Sequence, residues 1–204
     1  LRAFTTSIRN NMRNKPPVDF DKFASEKSIL FITTSPVKKA LHGLANIFVS
    51  QAISELFTIA DESAAGALEI PTDIIFDDFA TGAKVSDMPE KLSICRAKGI
   101  AFSGILLQSE SQLKRMYGEY EAIEIIDQCD SYVFFGGNNY ETAKALSLKM
   151  NVPLDEILYL PVGRTIVFRR GQKPVFSTRY DIFHDEFYQR ITQSHTGQKD
   201  DQWS

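Results

Sequence analysis

Asp73-Ile74-Ile75-Phe76-Asp77-Asp78-Phe79 is a short apolar run that ends in two adjacent carboxylates. Its length and its unbroken apolar centre fit a strand buried on both faces. Such strands belong to mainly parallel sheets covered by helices. In an open sheet of that kind, ligands bind beyond the carboxyl ends of the strands. On this reading Asp77 and Asp78 face a site. The ordinary alternative is a strand that ends in polar residues, its aspartates solvated or capping a turn.

The segments on either side keep to the same pattern. Upstream, residues 28–34 (Ser28-Ile-Leu-Phe-Ile-Thr-Thr34) form an apolar run of strand length. Between Lys38 and Ile59 apolar residues recur at Leu41, Leu44, Ala45, Phe48, Ala52 and Leu56, a helical stripe. Downstream, Asp87 and Glu90 have capping-box spacing, with Pro89 in the first turn of a helix expected over 87–98. A third strand is expected over 100–107, one or two helices over 109–128 and a fourth strand over 131–135. Asn138 and Glu141 open a further helix that ends before Pro153. Residues 165–169 and 175–178 flank a turn at Gly171, which predicts a C-terminal β-hairpin. Strands alternating with helices make the class α/β, a mainly parallel sheet flanked by helices. Residues 1–21, polar and broken by Pro16-Pro17, read as a linker or N-terminal remnant. Residues 22–193 form the folded core, and the polar stretch 194–204 reads as a disordered tail.

The 204 residues make one ordinary domain, and 43% hydrophobic with 24% charged residues is the balance of a soluble globular protein. A net charge of -3 excludes a global field that draws the domain to nucleic acid or anionic lipid. Two cysteines, Cys95 and Cys129, are too few for a disulfide framework and point to a reducing cytoplasm. No stretch approaches the roughly 20 apolar residues of a membrane span, and no signal peptide is visible. The chain begins at Leu1 without an initiator Met, which suggests a fragment or a processed product. His42, His184 and His195 lack metal-ligand spacing. A basic group on the expected hairpin, Arg164, Arg169, Arg170, Lys173 and Arg179, is either a contact for DNA phosphates or a solvated turn.

Two further residues accompany the acid pair. Arg96 ends the helix after the acidic strand, where a guanidinium could reach a neighbouring subunit's γ-phosphate. It could equally be a solvated cation favoured by the helix dipole. Gln108 ends the third strand beside the acids. It could bond a nucleotide phosphate or a lytic water, or simply the following turn. Each alone is unremarkable; their order and spacing together point to a nucleotide site.

The blocks 74–80 (IIFDDFA), 92–118 (LSICRAKGIAFSGILLQSESQLKRMYG) and 128–147 (QCDSYVFFGGNNYETAKALS) resemble the TraG/TraD-type coupling proteins of type IV secretion. In that family an apolar strand ends in Asp-Glu and is followed by a helix ending in Arg-x-x-Gly. A strand then runs into Gln-Ser/Asn-x-x-Gln-Leu. The run 28–34 with the Leu41–Leu56 helix, and the closing Val175-Phe-Ser-Thr-Arg-Tyr-Asp181, are similar as well, so the resemblance spans roughly residues 19–184. It implies the C-terminal part of a RecA-like P-loop ATPase core in a hexamer at the cytoplasmic face of the bacterial inner membrane. That motor uses ATP and Mg²⁺ to drive single-stranded DNA, with its relaxase and relaxosome proteins, through a type IV secretion channel. Carried over residue by residue, Asp77 is the Mg²⁺-associated acid and Asp78 stands at the catalytic Glu position. Arg96 is the trans-acting finger, and Gln108 senses the nucleotide.

Two departures follow from the residues themselves. Asp78 is one methylene shorter than Glu, which sets its carboxylate back by about 1.5 Å. An error of about 1 Å costs on the order of a hundredfold in rate. The sequence also holds no GxxxxGK[ST], and Gly136-Gly137-Asn138-Asn139 has no Lys to replace it. The chain alone is therefore expected to bind ATP weakly or not at all and to be inactive. The alternatives are a non-catalytic module recognising relaxosome or substrate proteins, or a related α/β fold from another oligomeric ATPase.

Overall fold

The computed structural model describes residues 18–33, 42–81 and 84–196. Most of the expected linker (1–17) and of the expected tail (197–204) lies outside the described residues. The sequence reading took residues 22–193 together as one core; the chain forms two compact units, one ending at Gln128 and the other beginning at Cys129.

In the first unit, α1 (Phe20–Ser25) is capped by Asp19, whose carboxylate accepts from the Lys22 amide at 3.0 Å. Then follow α2 (His42–Glu62), β1 (Thr72–Phe76), α3 (Met88–Ile94), a 3₁₀ turn (Cys95–Lys98), β2 (Ile100–Ile105), α4 (Glu110–Tyr117) and α5 (Glu119–Gln128). β1 and β2 are parallel, with Thr72 opposite Ile100 and Phe76 opposite Ile105. The connection through α3 is the crossover that parallel pairing demands. The register slips between Ile74, opposite Phe102, and Ile75, opposite Gly104, so β2 carries one extra residue. Gly104 permits the close approach there, since a Cβ would come within 3.1 Å of Ile75 Cγ2.

The apolar stripe of α2 supplies two cores. Ile53 packs with Phe79, Val85, Met88, Leu113, Tyr117, Ala122 and Ile125. Leu56 and Ala60 pack with Ala24, Leu68, Cys95 and Ile100. This helix also corrects a sequence expectation. Over 43–62 it is long and apolar enough, by length and composition, to cross a membrane, although Ile53, Leu56 and Ala60 spend their surface inside the unit.

Three other expectations are revised in this unit. β1 is not buried on both faces: Thr72, Ile74 and Phe76 are half-buried, whereas Asp73 and Ile75 are exposed. Residues 28–33 join no ladder among the described residues, and Ile29 and Phe31 are 80% and 83% exposed. Apolar, β-branched composition favours an extended chain, but a strand also needs a neighbour to bond. At α3, Asp87 is the cap residue but makes no side-chain cap bond, because its backbone is left-handed at φ 52°. Pro89 does sit in the first turn.

In the second unit, β3 (Ser131–Phe134), β4 (Arg164–Arg169) and β5 (Val175–Thr178) form one sheet in the order β3-β4-β5. Its helices are α6 (Tyr140–Met150), α7 (Leu154–Leu158) and α8 (Glu186–Thr196), with a 3₁₀ turn (Ile182–His184) before the last. The β4–β5 hairpin forms where expected, with Gly171 at φ 75° in its turn. β3 departs from the expectation of a fourth parallel strand. It pairs antiparallel with β4, Ser131 opposite Arg169 and Phe134 opposite Ile166. The α6 cap is Asn139 rather than Asn138, its side chain accepting from the Thr142 amide at 2.9 Å. The core here is Phe134, Ala143, Leu146, Ile157, Ile166 and Phe168. The class is α/β with a parallel pair, flanking helices and a C-terminal hairpin, as anticipated; the anticipated single sheet is replaced by two.

Candidate nucleotide site

The acid pair is placed by main-chain bonds. β1 stops at Phe76, whose carbonyl accepts from the Leu106 amide at 2.9 Å; the Phe79 amide then donates to the Leu106 carbonyl at 3.0 Å. Asp77 and Asp78 bow out between two bonds to the same residue. Asp78 takes a left-handed conformation at φ 50°, which Asp tolerates better than most residues. Its carbonyl is held by the Thr81 amide and hydroxyl, both at 2.9 Å. The turn leaves both carboxylates exposed at the carboxyl end of β1.

Gln108, beyond the end of β2, reaches the same place. Its Nε2 donates to Asp78 Oδ1 at 3.0 Å, and its Oε1 accepts from Gln112 Nε2 at 3.3 Å. The structure therefore brings Asp77, Asp78 and Gln108 together at one rim. Among the described residues the Asp77 carboxylate has no hydrogen-bond or ion-pair partner. An exposed, unpartnered carboxylate at a strand end suits Mg²⁺, which ordinarily takes one or two carboxylates and completes its shell with phosphates and water. Among the described residues no three His, Cys, Asp or Glu side chains converge, so these residues alone build no all-protein metal cage.

Arg96 stands apart. It lies in the 3₁₀ turn that leads into the first residue of β2, whereas the acids follow the last residue of β1. The two strands are parallel, so Arg96 and the acids occupy opposite ends, separated by at least four residues of strand at about 3.3 Å each. Its surroundings are firmly set. Cys95 is buried, and that burial pushes its thiol up from the ordinary cysteine value. Lys98 pairs with Asp61. Gly99, at φ 70°, closes the turn with its amide on the Arg96 carbonyl at 3.3 Å. The Arg96 side chain is exposed and, among the described residues, unpaired.

Tyr117 clamps the segment after the acids. Its hydroxyl accepts from the Val85 amide at 3.0 Å and donates to the Val85 carbonyl at 3.3 Å. The Lys84 ammonium sits 5.0 Å from the ring centre while pairing with Glu121 at 2.7 Å. Burial pushes the phenol up from 10.0 to about 12. The neutral form is thus favoured in the folded chain: its contribution is complete below pH 10 and is lost as pH rises towards 12. Tyr117→Phe strands two buried main-chain groups and should cost about 1–3 kcal/mol in urea unfolding at neutral pH. The variant should also lose the part of the alkaline destabilisation between pH 10 and 12 that Tyr117 causes; an unchanged alkaline limb would show that the phenol is not its source.

The expected basic cluster on the hairpin is divided. Arg164 and Arg179 lie at the end where Arg164 faces Thr178, while Arg169 and Arg170 lie where Arg169 faces Ser131. Arg170 is engaged with Asp130 at 3.2 Å, and Arg179 lies 5.9 Å from the Phe135 ring centre. Gln112, the second glutamine of the Gln-Ser-x-Ser-Gln-Leu element, was given no role in the sequence reading, yet it bonds Gln108 at the acid rim. The signal available was its i+4 spacing from Gln108 across a helix start.

Comparison with known proteins gives a partial match in sequence and a wider one in fold. Residues 71–150 match the family model described as the TraM recognition site of TraD and TraG. A search of curated proteins gives no match. Among solved structures, the chain is similar to the bacterial conjugative coupling protein TrwBΔN70 in its unbound monoclinic form. The identity is 21% and the TM-score 0.65, over 80% of this chain and 43% of that one. The same figures hold for TrwB in complex with ADP and Mg²⁺. For TrwB with the non-hydrolysable ATP analogue ADPNP, identity is 23% and the TM-score 0.57, over 69% of this chain and 37% of that one. The chain thus spans less than half the length of these structures, and the likeness concerns the fold.

Proposed function

We propose, from the match of residues 71–150 to the family model described as the TraM recognition site of TraD and TraG, that this chain is the C-terminal portion of a conjugative DNA-transfer ATPase. In this reading the ATPase powers export of single-stranded DNA with its relaxase through a type IV secretion system, as an oligomer at the cytoplasmic face of the membrane. The supporting observation is the hydrogen bond between Gln108 and Asp78 at the carboxyl ends of two adjoining parallel strands, with an unpartnered Asp77 beside it.

Bound Mg²⁺-ATP would supply a polarised γ-phosphoryl group to an attacking water. Asp77 would hold the metal, through water or directly, and Asp78 would orient the attacking water and take its proton. Gln108 has one amide hydrogen on Asp78 and a second with which to bond a phosphate or that water. Arg96, at the far end of the strands, would serve a site on the neighbouring subunit, where its fork of donors spreads charge as the phosphoryl group departs. The phosphate-cradling loop is not encoded in residues 1–204 and would be contributed by other sequence.

Hydrolysis by a protein that joins these residues to a phosphate-binding loop tests the reading. Asp78→Glu should raise kcat, by up to roughly a hundredfold if the shorter side chain misplaces its carboxylate by about 1 Å. An assembled protein that hydrolyses nothing with either residue would end the motor reading. A second reading, a recognition module without turnover, is favoured by the family description itself, a recognition site for TraM. Capture of such an accessory protein by this chain, with flat calorimetry against ATP, would support it.

A further inference from the structure

We infer that Gln112 is a positioning residue that fixes which way the Gln108 side-chain amide points, an assignment that rests on the roles proposed above for Asp78 and Gln108. A glutamine amide can sit in two orientations that exchange its oxygen and nitrogen. Here the groups on either side make opposite demands. The ionised Asp78 carboxylate can only accept, so it requires the Gln108 Nε2–H, and that contact is 3.0 Å. The Gln112 Nε2 can only donate, so it requires the Gln108 Oε1, at 3.3 Å. Reversing the amide would set carbonyl against carboxylate on one side and NH₂ against NH₂ on the other.

The surroundings of Gln112 fit this task. Its backbone is fixed in the first turn of α4 by the amide bond to the Ser109 carbonyl at 3.2 Å. The next residue, Leu113, is fully buried in the core. Gln112 Oε1 is buried and has no hydrogen-bond partner, so the side chain acts on the rim through Nε2. The direction runs from Gln112 to Gln108 to Asp78, and it leaves one Gln108 N–H for an acceptor beside Asp78. Without Gln112 one of the two opposing demands is lost, and the orientation of Gln108 is held from the Asp78 side alone.

Nuclear magnetic resonance of the 204-residue chain, labelled with ¹⁵N at glutamine, reads this directly and without nucleotide. In the unmodified chain the Gln108 Nε2 protons should be shifted from the position of free glutamine and show cross-peaks to Asp78. In Gln112→Met, where Asp78 alone still favours that orientation, those signals should move towards the free position and the cross-peaks should weaken. In Gln112→Glu the new carboxylate accepts instead of donating, so the Gln108 NH₂ should turn towards residue 112 and away from Asp78. Gln108 signals that stay unchanged in the folded variants overturn the proposal; should the Met variant not fold, the Glu variant, of equal length and still polar, decides alone. In the assembled ATPase, Gln112→Met should lower kcat by up to roughly a hundredfold and leave KM for ATP unchanged. The two ideas fail separately. A Gln108 amide that reorients in a protein that never hydrolyses ATP sinks the motor reading alone, and unmoved signals in an active enzyme sink this one alone.

Discussion

On the proposed reading, Arg96→Ala should reduce ATP hydrolysis by a protein that joins this chain to a phosphate-binding loop by about 10³- to 10⁵-fold, the range an arginine finger supplies, with nucleotide affinity unchanged. The side chain is exposed and unpaired among the described residues, so its truncation removes no packing. A surface change of that kind alters stability by no more than about 0.5 kcal/mol, and the variant should assemble normally. Arg96 lies at the end of the strands opposite Asp77 and Asp78, so on the proposed reading it acts on the site of a neighbouring subunit. Mixing subunits carrying Arg96→Ala with subunits carrying Asp78→Asn should then restore part of the activity, because some interfaces pair an intact arginine with an intact acid. Normal hydrolysis in the Arg96→Ala protein would remove the residue from the mechanism. An inactive mixture of two individually assembled variants would argue that it acts within its own chain.

Leu113→Ala should strongly destabilise the first unit, costing about 2–5 kcal/mol in denaturant unfolding. Leu113 is fully buried and lies in the cluster that joins Ile53 of α2, Phe79 beyond the acid turn, Val85 and Tyr117. A cavity there loosens the support of the acid turn and of α4, which carries Gln112, at once. The chain has two compact units, so one unfolding curve need not describe both. Amide exchange measured by residue separates them: protection should fall at Phe79, Val85 and Ile125 and persist at Ile157 and Ile166, which belong to the other core. Uniform loss in both units would show that they unfold together. Loss below about 1 kcal/mol would mean that the site collapses around the smaller side chain.

Much of the candidate site was legible before any coordinates. An apolar run ending in Asp77-Asp78, and a second ending near Gln108, meet at one rim once the two strands are parallel neighbours, and they are. The hairpin was equally legible, because a glycine between two β-branched runs is a local signal with a local consequence. The left-handed backbone at Asp78 and Asp87 was not. Asp tolerates that conformation without demanding it, so nothing in the residue type announces it. That conformation turned the capping box expected at α3 into a helix start without a side-chain cap.

The sequence by itself determined the alternation of elements, the hairpin and the residue types at the strand ends, because each depends on neighbours a few positions away through periods of 2 and 3.6. The tertiary structure alone decided which strands share a sheet. It sent Ser131–Phe134 into an antiparallel ladder with Arg164–Arg169 and left residues 28–33 without a described partner. It also decided that Arg96 lies away from the acids and that Gln112 holds Gln108. Pairing and side-chain orientation join residues from separate segments, and their free energy depends on which surfaces meet, a quantity that no single segment carries.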